Sequence, residues 1–165
     1  MCWQAELKQA LNNLAVNGQP ARVALLGIGS ELRGDDRAGV WLADRLLEHQ
    51  HPHLLVIPAG LAPENFTGNL RAFKPQLVIL ADAAELEQPP GSVRFLDWQQ
   101  TGGISASTHT LPLHLLAGYL QTELGCQVSL LAIQPAQTGF DQPLSVPVQN
   151  ALQETAADLV GILTL

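Results

Sequence analysis

The sequence predicts an α/β fold in which a mostly parallel sheet is covered by helices on both faces. Residues 23–26 and 77–80 are short, continuous apolar runs bounded by turn residues, a pattern typical of strands buried on both faces. Residues 38–48 lie between them and have apolar side chains at helical spacing. Because parallel strands must be joined by crossover segments, this alternation favours a parallel sheet with flanking helices.

The remaining elements follow the same pattern along the chain. An amphipathic helix over 4–16 comes first, with Leu7, Leu11 and Leu14 on one side. Residues 92–96 alternate less regularly and contain Arg94, which favours an edge strand able to run antiparallel. The other predicted strands are 54–57 and 128–133, and the other predicted helices are 63–73, 111–124 and 146–163. A chain of 165 residues fits one domain, 1–165.

Charge and cysteine usage exclude several classes of protein. With 15 acidic and 8 basic side chains the formal charge is −7, so we expect neither a nucleic-acid nor a membrane partner. No apolar run approaches the roughly 20 residues of a membrane span, and no secretory signal is visible. Cys2 and Cys126 form no CxxC pair, so we expect a reducing, cytoplasmic location.

Loops at the carboxyl ends of parallel strands are the expected position of a site, which directs attention to the segments after residues 26, 80 and 96. The first of these is Gly-rich and runs from Gly27 to Gly39. It matches neither a dinucleotide fingerprint nor a phosphate-binding P-loop. Asp35 and Asp36 would repel phosphate at the start of the next helix, so the loop favours a cation and no nucleotide cofactor is expected.

Asp36, Asp82 and His109 are the candidate metal ligands. Each has an ordinary alternative role: Asp36 as a helix cap, Asp82 as a hydrogen-bond acceptor for loop amides after a buried strand, and His109 as a polar loop residue. The predicted topology brings the three positions to one edge of the sheet. Two carboxylates and an imidazole form a site with open coordination positions that suits Zn²⁺ or Ni²⁺.

Two other groups of polar residues are weaker candidates. His49, His51 and His53 alternate and could chelate a metal, but the stretch reads as a helix end followed by a turn. Ser105 and Ser107 lie near His109, yet the chain contains no nucleophile elbow of the Gly-x-Ser-x-Gly type. A serine protease mechanism is therefore disfavoured.

Several motifs occur together along the chain: Gly27-x-Gly29-Ser30-x4-Asp35-Asp36, 60–65, the apolar strand ending at Asp82, 108–113, and Ile133-Gln134-Pro135 with Gly139-Phe140. In this order they resemble one known family, the processing endopeptidases of nickel-iron hydrogenase maturation. They cover most of the chain after the first helix and are most similar to the branch that processes hydrogenase 3-type large subunits. Ser30 stands where that family commonly has Asn, and Arg37 where Gly is common.

This resemblance implies a fold and an activity. The implied fold is a three-layer α/β/α sandwich around a mixed five-stranded sheet. Asp36, Asp82 and His109 would contact nickel already loaded into a hydrogenase large-subunit precursor, and the enzyme would remove a short C-terminal extension from that partner.

The sequence leaves two mechanisms and two rival functions open. The metal could polarise the scissile carbonyl or lower the pKa of an attacking water. Alternatively, it could only dock the substrate, while Asp35 or another carboxylate activates water as a base. One rival function is a non-catalytic nickel carrier or chaperone that uses the same three ligands. The other is a nucleotide-binding α/β domain, which the missing phosphate motifs disfavour.

Overall fold

The structure of the protein, a computed structural model, describes residues 1–102, 104 and 112–164. They form the predicted three-layer α/β/α sandwich around a mixed five-stranded sheet. The strands are β1 (Val23–Ile28), β2 (Leu54–Gly60), β3 (Leu77–Ala83), β4 (Val93–Asp97) and β5 (Gln127–Ile133). The helices are α1 (Trp3–Leu14), α2 (Ala38–Leu46), α3 (Thr67–Phe73), α4 (Leu113–Leu124) and α5 (Val146–Leu163).

The order of strands in the sheet is β2-β1-β3-β5-β4. β1 pairs in parallel with β2 and β3, and β3 pairs in parallel with β5. β4 is an antiparallel edge strand, as its sequence favoured: Val93 lies opposite Ile133, and Asp97 lies opposite Ser129. This orientation corrects one expectation, because the segment after residue 96 leaves the sheet at the edge opposite the carboxyl ends of the parallel strands.

Two apolar cores lie on opposite faces of the sheet. One contains side chains from α1, α2 and α5, and the other contains side chains from α3 and α4. Leu25 and Leu26 are both fully buried and belong to different cores, because successive side chains of a strand point to opposite faces. Among the described helices, none is long and apolar enough to cross a membrane.

Glycines allow α2 to begin directly against the sheet. A Cβ on Gly27 would lie 2.2 Å from the carbonyl oxygen of Gly39. A Cβ on Gly39 would lie 2.0 Å from the carbonyl oxygen of Ala81 and 2.5 Å from that of Ile28. Because these are backbone contacts, a side chain at either position would force the helix away from the sheet. The start of α2 is thereby held against the carboxyl ends of β1 and β3.

Candidate active site

Asp36 lies in a buried turn between β1 and α2. Its side chain is 1% exposed, and its Oδ2 accepts a hydrogen bond from the Ser30 amide at 2.9 Å. Gly29 permits this close approach: its φ is +129°, and a Cβ there would lie 1.8 Å from the Asp36 carbonyl oxygen. The buried Asp36 Oδ1 accepts no hydrogen bond from any described residue. That oxygen is therefore an acceptor available to a cation or to a substrate group.

Asp82 lies near the carboxyl end of β3 and is fully buried. β3 is hydrogen-bonded to β1, and the 3-10 turn Gly34–Arg37 packs against β3. Asp36 and Asp82 consequently lie at the same edge of the sheet, on segments that follow or end neighbouring strands. The sequence predicted this juxtaposition. That both carboxylates share one ion stays a prediction.

Asp35 is fully buried and makes a different set of contacts. Its Oδ2 accepts hydrogen bonds from the Ala136 amide at 2.8 Å, the Gln137 amide at 3.0 Å and the Ser145 hydroxyl at 2.8 Å. Its Oδ1 accepts from the Ser145 amide at 2.8 Å, and its own amide donates to the Gln137 carbonyl at 2.8 Å.

Both oxygens of Asp35 are thus occupied by groups of the segment between β5 and α5. The base role predicted for Asp35 stays a prediction, and these contacts do not favour it. They favour a positioning role that sequence reasoning missed. The signal in the sequence was that a second, adjacent acid exceeded the needs of helix capping.

His109, the predicted nitrogen ligand, lies outside the described residues, as do Ser105 and Ser107. The chain before α4 is described again from residue 112. Within residues 1–102, 104 and 112–164, no three His, Cys, Asp or Glu side chains are grouped so that they could hold a metal ion. The described part of the site therefore consists of two buried carboxylates at one edge of the sheet.

Known proteins share the sequence pattern and the fold of this chain. The model of the hydrogenase maturation protease family HycI matches residues 40–162. The chain belongs to the hydrogenase maturation protease family. This membership confirms the resemblance that the sequence motifs indicated.

Individual members of the hydrogenase maturation protease family agree in sequence and structure. The hydrogenase 3 maturation protease of Escherichia coli K12 is 32% identical over 138 residues, covering 83% of this chain and 88% of that protein. The crystal structure of the NiFe hydrogenase maturation protease HycI from Thermococcus kodakarensis superposes with a TM-score of 0.80 at 34% identity, covering 88% of this chain and 94% of that one. The solution structure of the endopeptidase HycI from Escherichia coli gives a TM-score of 0.72 at 30% identity, covering 84% and 89%.

Membership in the hydrogenase maturation protease family makes this chain an endopeptidase, and it supports that activity over the carrier or chaperone alternative. Among the alternating histidines, His51 is engaged in structural contacts. The Nε2 of His51 lies 2.9 Å from the Leu163 carbonyl oxygen, and its Nδ1 accepts the His53 amide at 3.2 Å. Both ring nitrogens of His51 are occupied by these structural contacts.

A cavity of about 320 Å³ lies next to these histidines and is lined also by Val23, at the start of β1. The start of β1 is at the edge of the sheet opposite Asp36 and Asp82. The cavity is therefore remote from the carboxylates of the candidate active site.

Proposed function

We propose that this chain is a cytoplasmic, aspartyl-type endopeptidase that removes a short C-terminal extension from a nickel-loaded hydrogenase large-subunit precursor. The family supports hydrogenase maturation as the process. The observation that carries the nickel-dependent part is the buried Asp36 Oδ1, which accepts no hydrogen bond from any described residue. A buried carboxylate oxygen without a partner costs free energy, and a substrate-borne cation would offset that cost during the reaction.

The donor set suits a metal that arrives with its own ligands. The proposed protein ligands are Asp36, Asp82 and His109, which include two hard carboxylates. Nickel held by protein thiolates in the precursor would retain softer ligands. Asp36 and Asp82 would then complete the coordination only when the loaded precursor is docked. Recognition of the loaded state would follow from this division of ligands, since a nickel-free precursor offers nothing for the two carboxylates to bind.

The residues of the chain would position the substrate in a defined way. Asp36 is held by the Ser30 amide through Oδ2, which leaves Oδ1 to contact the substrate. Burial of both Asp36 and Asp82 lowers the local dielectric and strengthens their attraction to a cation. Asp35 would keep the turn in place through its hydrogen bonds to residues 136, 137 and 145.

The test is to incubate the protein with nickel-loaded and nickel-free precursor and to measure the mass of the large subunit. We expect the wild-type protein to shorten only the loaded precursor. Replacement of Asp36 by Asn, or of His109 by Ala, should slow trimming about ten- to hundredfold, because each substitution removes one charged or coordinating contact. A nickel carrier would instead exchange metal without changing the mass of the precursor.

Two results would contradict the proposal. Efficient trimming of the nickel-free precursor would exclude recognition through nickel. An undiminished rate in both the Asp36→Asn and His109→Ala variants would exclude these residues as ligands. Exposed Val16→Ser at the opposite edge of the sheet serves as the control variant and should trim at the wild-type rate.

A further inference from the structure

Three large apolar side chains are exposed on loops around the candidate active site. Leu32 is 64% exposed, Leu61 is 47% exposed and Phe140 is 69% exposed. They follow β1, β2 and β5 respectively. Because these strands run parallel within the sheet, all three loops leave from the edge that carries Asp36 and Asp82. We call these three side chains the apolar rim.

Hydrogen bonds connect the loops of the apolar rim to one another. The Asp141 amide, next to Phe140, donates to the Leu32 carbonyl oxygen at 2.8 Å. On the other side, the Gly29 amide donates to the carbonyl oxygen of Gly60, the residue before Leu61, at 3.0 Å. The next amide, that of Ser30, binds the carboxylate of Asp36. The apolar rim and the candidate ligand therefore lie on one continuous network of loops.

Two of these loops, those that carry Leu32 and Phe140, are fixed by a buried group. Asp35 joins the turn after β1 to the segment before α5 through four hydrogen bonds to its carboxylate. Loops fixed in this way lose little conformational entropy when a partner binds. Large apolar side chains that remain exposed on loops at one edge of a sheet can form a binding surface.

We propose that the apolar rim is the docking surface for the hydrogenase large-subunit precursor and that it binds apolar residues beside the segment to be cleaved. This inference rests on the proposed function. The position of the rim argues for the substrate, since the loops that carry the rim leave the same edge of the sheet as the carboxylates that would contact the substrate's metal.

A second copy of this chain fits the apolar rim less well. Three side chains of this size bury only a few hundred Å², whereas stable protein interfaces bury about 1,200 Å² or more. Each copy also carries a formal charge of −7, so two copies repel each other. A transient complex with a substrate requires neither a large interface nor two identical surfaces.

The experiment uses Leu32→Ser, Phe140→Ser and the double variant, with Val16→Ser and Leu47→Ser as controls. The control residues are exposed at 57% and 38% and lie at the opposite edge of the sheet. Trimming of nickel-loaded precursor is measured over a range of precursor concentrations, and binding is measured separately by biolayer interferometry with immobilised precursor. Each rim substitution should raise KM and Kd by roughly ten- to hundredfold, the effect of losing one buried apolar side chain, with kcat unchanged. The controls should match wild type in both measurements.

The outcomes separate this inference from the proposed function. If wild type trims the precursor and the rim variants keep wild-type KM and Kd, the assignment of the apolar rim as the docking surface is wrong, whereas the proposed activity is supported. If wild type binds through the rim without trimming, the inference stands and the proposed function fails. Rim substitutions that convert a wild-type dimer into a monomer, measured by analytical ultracentrifugation, without changing Kd for the precursor would also overturn the inference in favour of a second copy.

Discussion

At the scale of single residues, two adjacent aspartates of one turn differ in how their charge is satisfied. Asp35 accepts four hydrogen bonds through its carboxylate. Asp36 accepts one from Ser30, and its Oδ1 is buried without a partner among the described residues. An unsatisfied buried acceptor costs about 1–3 kcal/mol, and within residues 1–102, 104 and 112–164 no hydrogen bond to Asp36 Oδ1 offsets that cost. Functional sites often carry such a cost, which binding then offsets.

The two aspartates should therefore respond oppositely to the same substitution. Asp36→Asn keeps an oxygen for the Ser30 amide and removes an unpaired buried charge, so the free energy of unfolding should stay the same or rise by up to about 2 kcal/mol. Asp35→Asn replaces one accepting oxygen with an amide that faces other donors, so the free energy of unfolding should fall by about 1–3 kcal/mol. Urea denaturation of both variants measures these changes. A large loss of stability in Asp36→Asn would show that this carboxylate is structural.

At the scale of elements, close contact between helix and sheet decides where the site lies. Gly39, in the first turn of α2, lies close to the carbonyl groups of Ala81 and Ile28. This contact brings the preceding turn, which contains Asp36, to the ends of β1 and β3. Gly161 lies in α5, and a Cβ there would meet no atom within 4 Å. Gly39 is therefore required by close backbone contacts, whereas Gly161 has no packing role.

Substitution by alanine should distinguish these two glycines. Gly39→Ala should lower the free energy of unfolding by about 1–3 kcal/mol or more, because overpacking against rigid backbone forces the helix to shift. Gly161→Ala should raise it by up to about 1 kcal/mol through helix propensity. Thermal denaturation followed by circular dichroism checks both. If Gly39→Ala unfolds with wild-type stability, α2 does not depend on this close approach.

Local sequence patterns were sufficient to predict the helices and strands. They were not sufficient to predict the long-range contacts. The apolar spacing predicted α5 at 146–163, and the structure has it at Val146–Leu163. β2 and β3 continue to Gly60 and Ala83, past the predicted ends at 57 and 80, because the apolar runs stop before the pairing with β1 and β5 does.

The adjacent acids indicated a role for Asp35 beyond helix capping, but its partner Ser145 could not be predicted because it lies 110 residues away along the chain. Among the candidate ligands, it was predictable that Asp36 and Asp82 lie at the same edge of the sheet, because Asp36 follows β1 and Asp82 lies near the end of β3. Hydrogen bonding at each carboxylate depends on the loops that close over the edge, and no local pattern describes these. The sequence showed Phe140 only as part of a motif. It does not reveal that the loop of Phe140 is hydrogen-bonded to the loop of Leu32.

At the scale of the whole molecule, the two cores pack against opposite faces of the same sheet. Trp3 is buried in the core with α1, α2 and α5, and Trp41 packs against the same core. Trp98 packs against the core with α3 and α4. Because neighbouring residues of β1 contribute to opposite cores, a substitution that destabilises one core should also destabilise the other. A single domain over 1–165 predicts that the two cores unfold together.

The pair Leu25 and Leu26 provides the test, since both are fully buried neighbours on β1 with side chains in different cores. Each substitution by alanine should lower the free energy of unfolding by about 2–5 kcal/mol. In single-tryptophan proteins that retain Trp3 or Trp98, with the other tryptophans changed to Phe, the urea midpoint should shift equally for both probes. Equal shifts are expected because a two-state domain has one transition whichever probe reports it. If Leu26→Ala lowers the midpoint seen by Trp98 but not that seen by Trp3, the two faces unfold separately. The carboxylates at the end of the sheet would then depend on only one of the two cores.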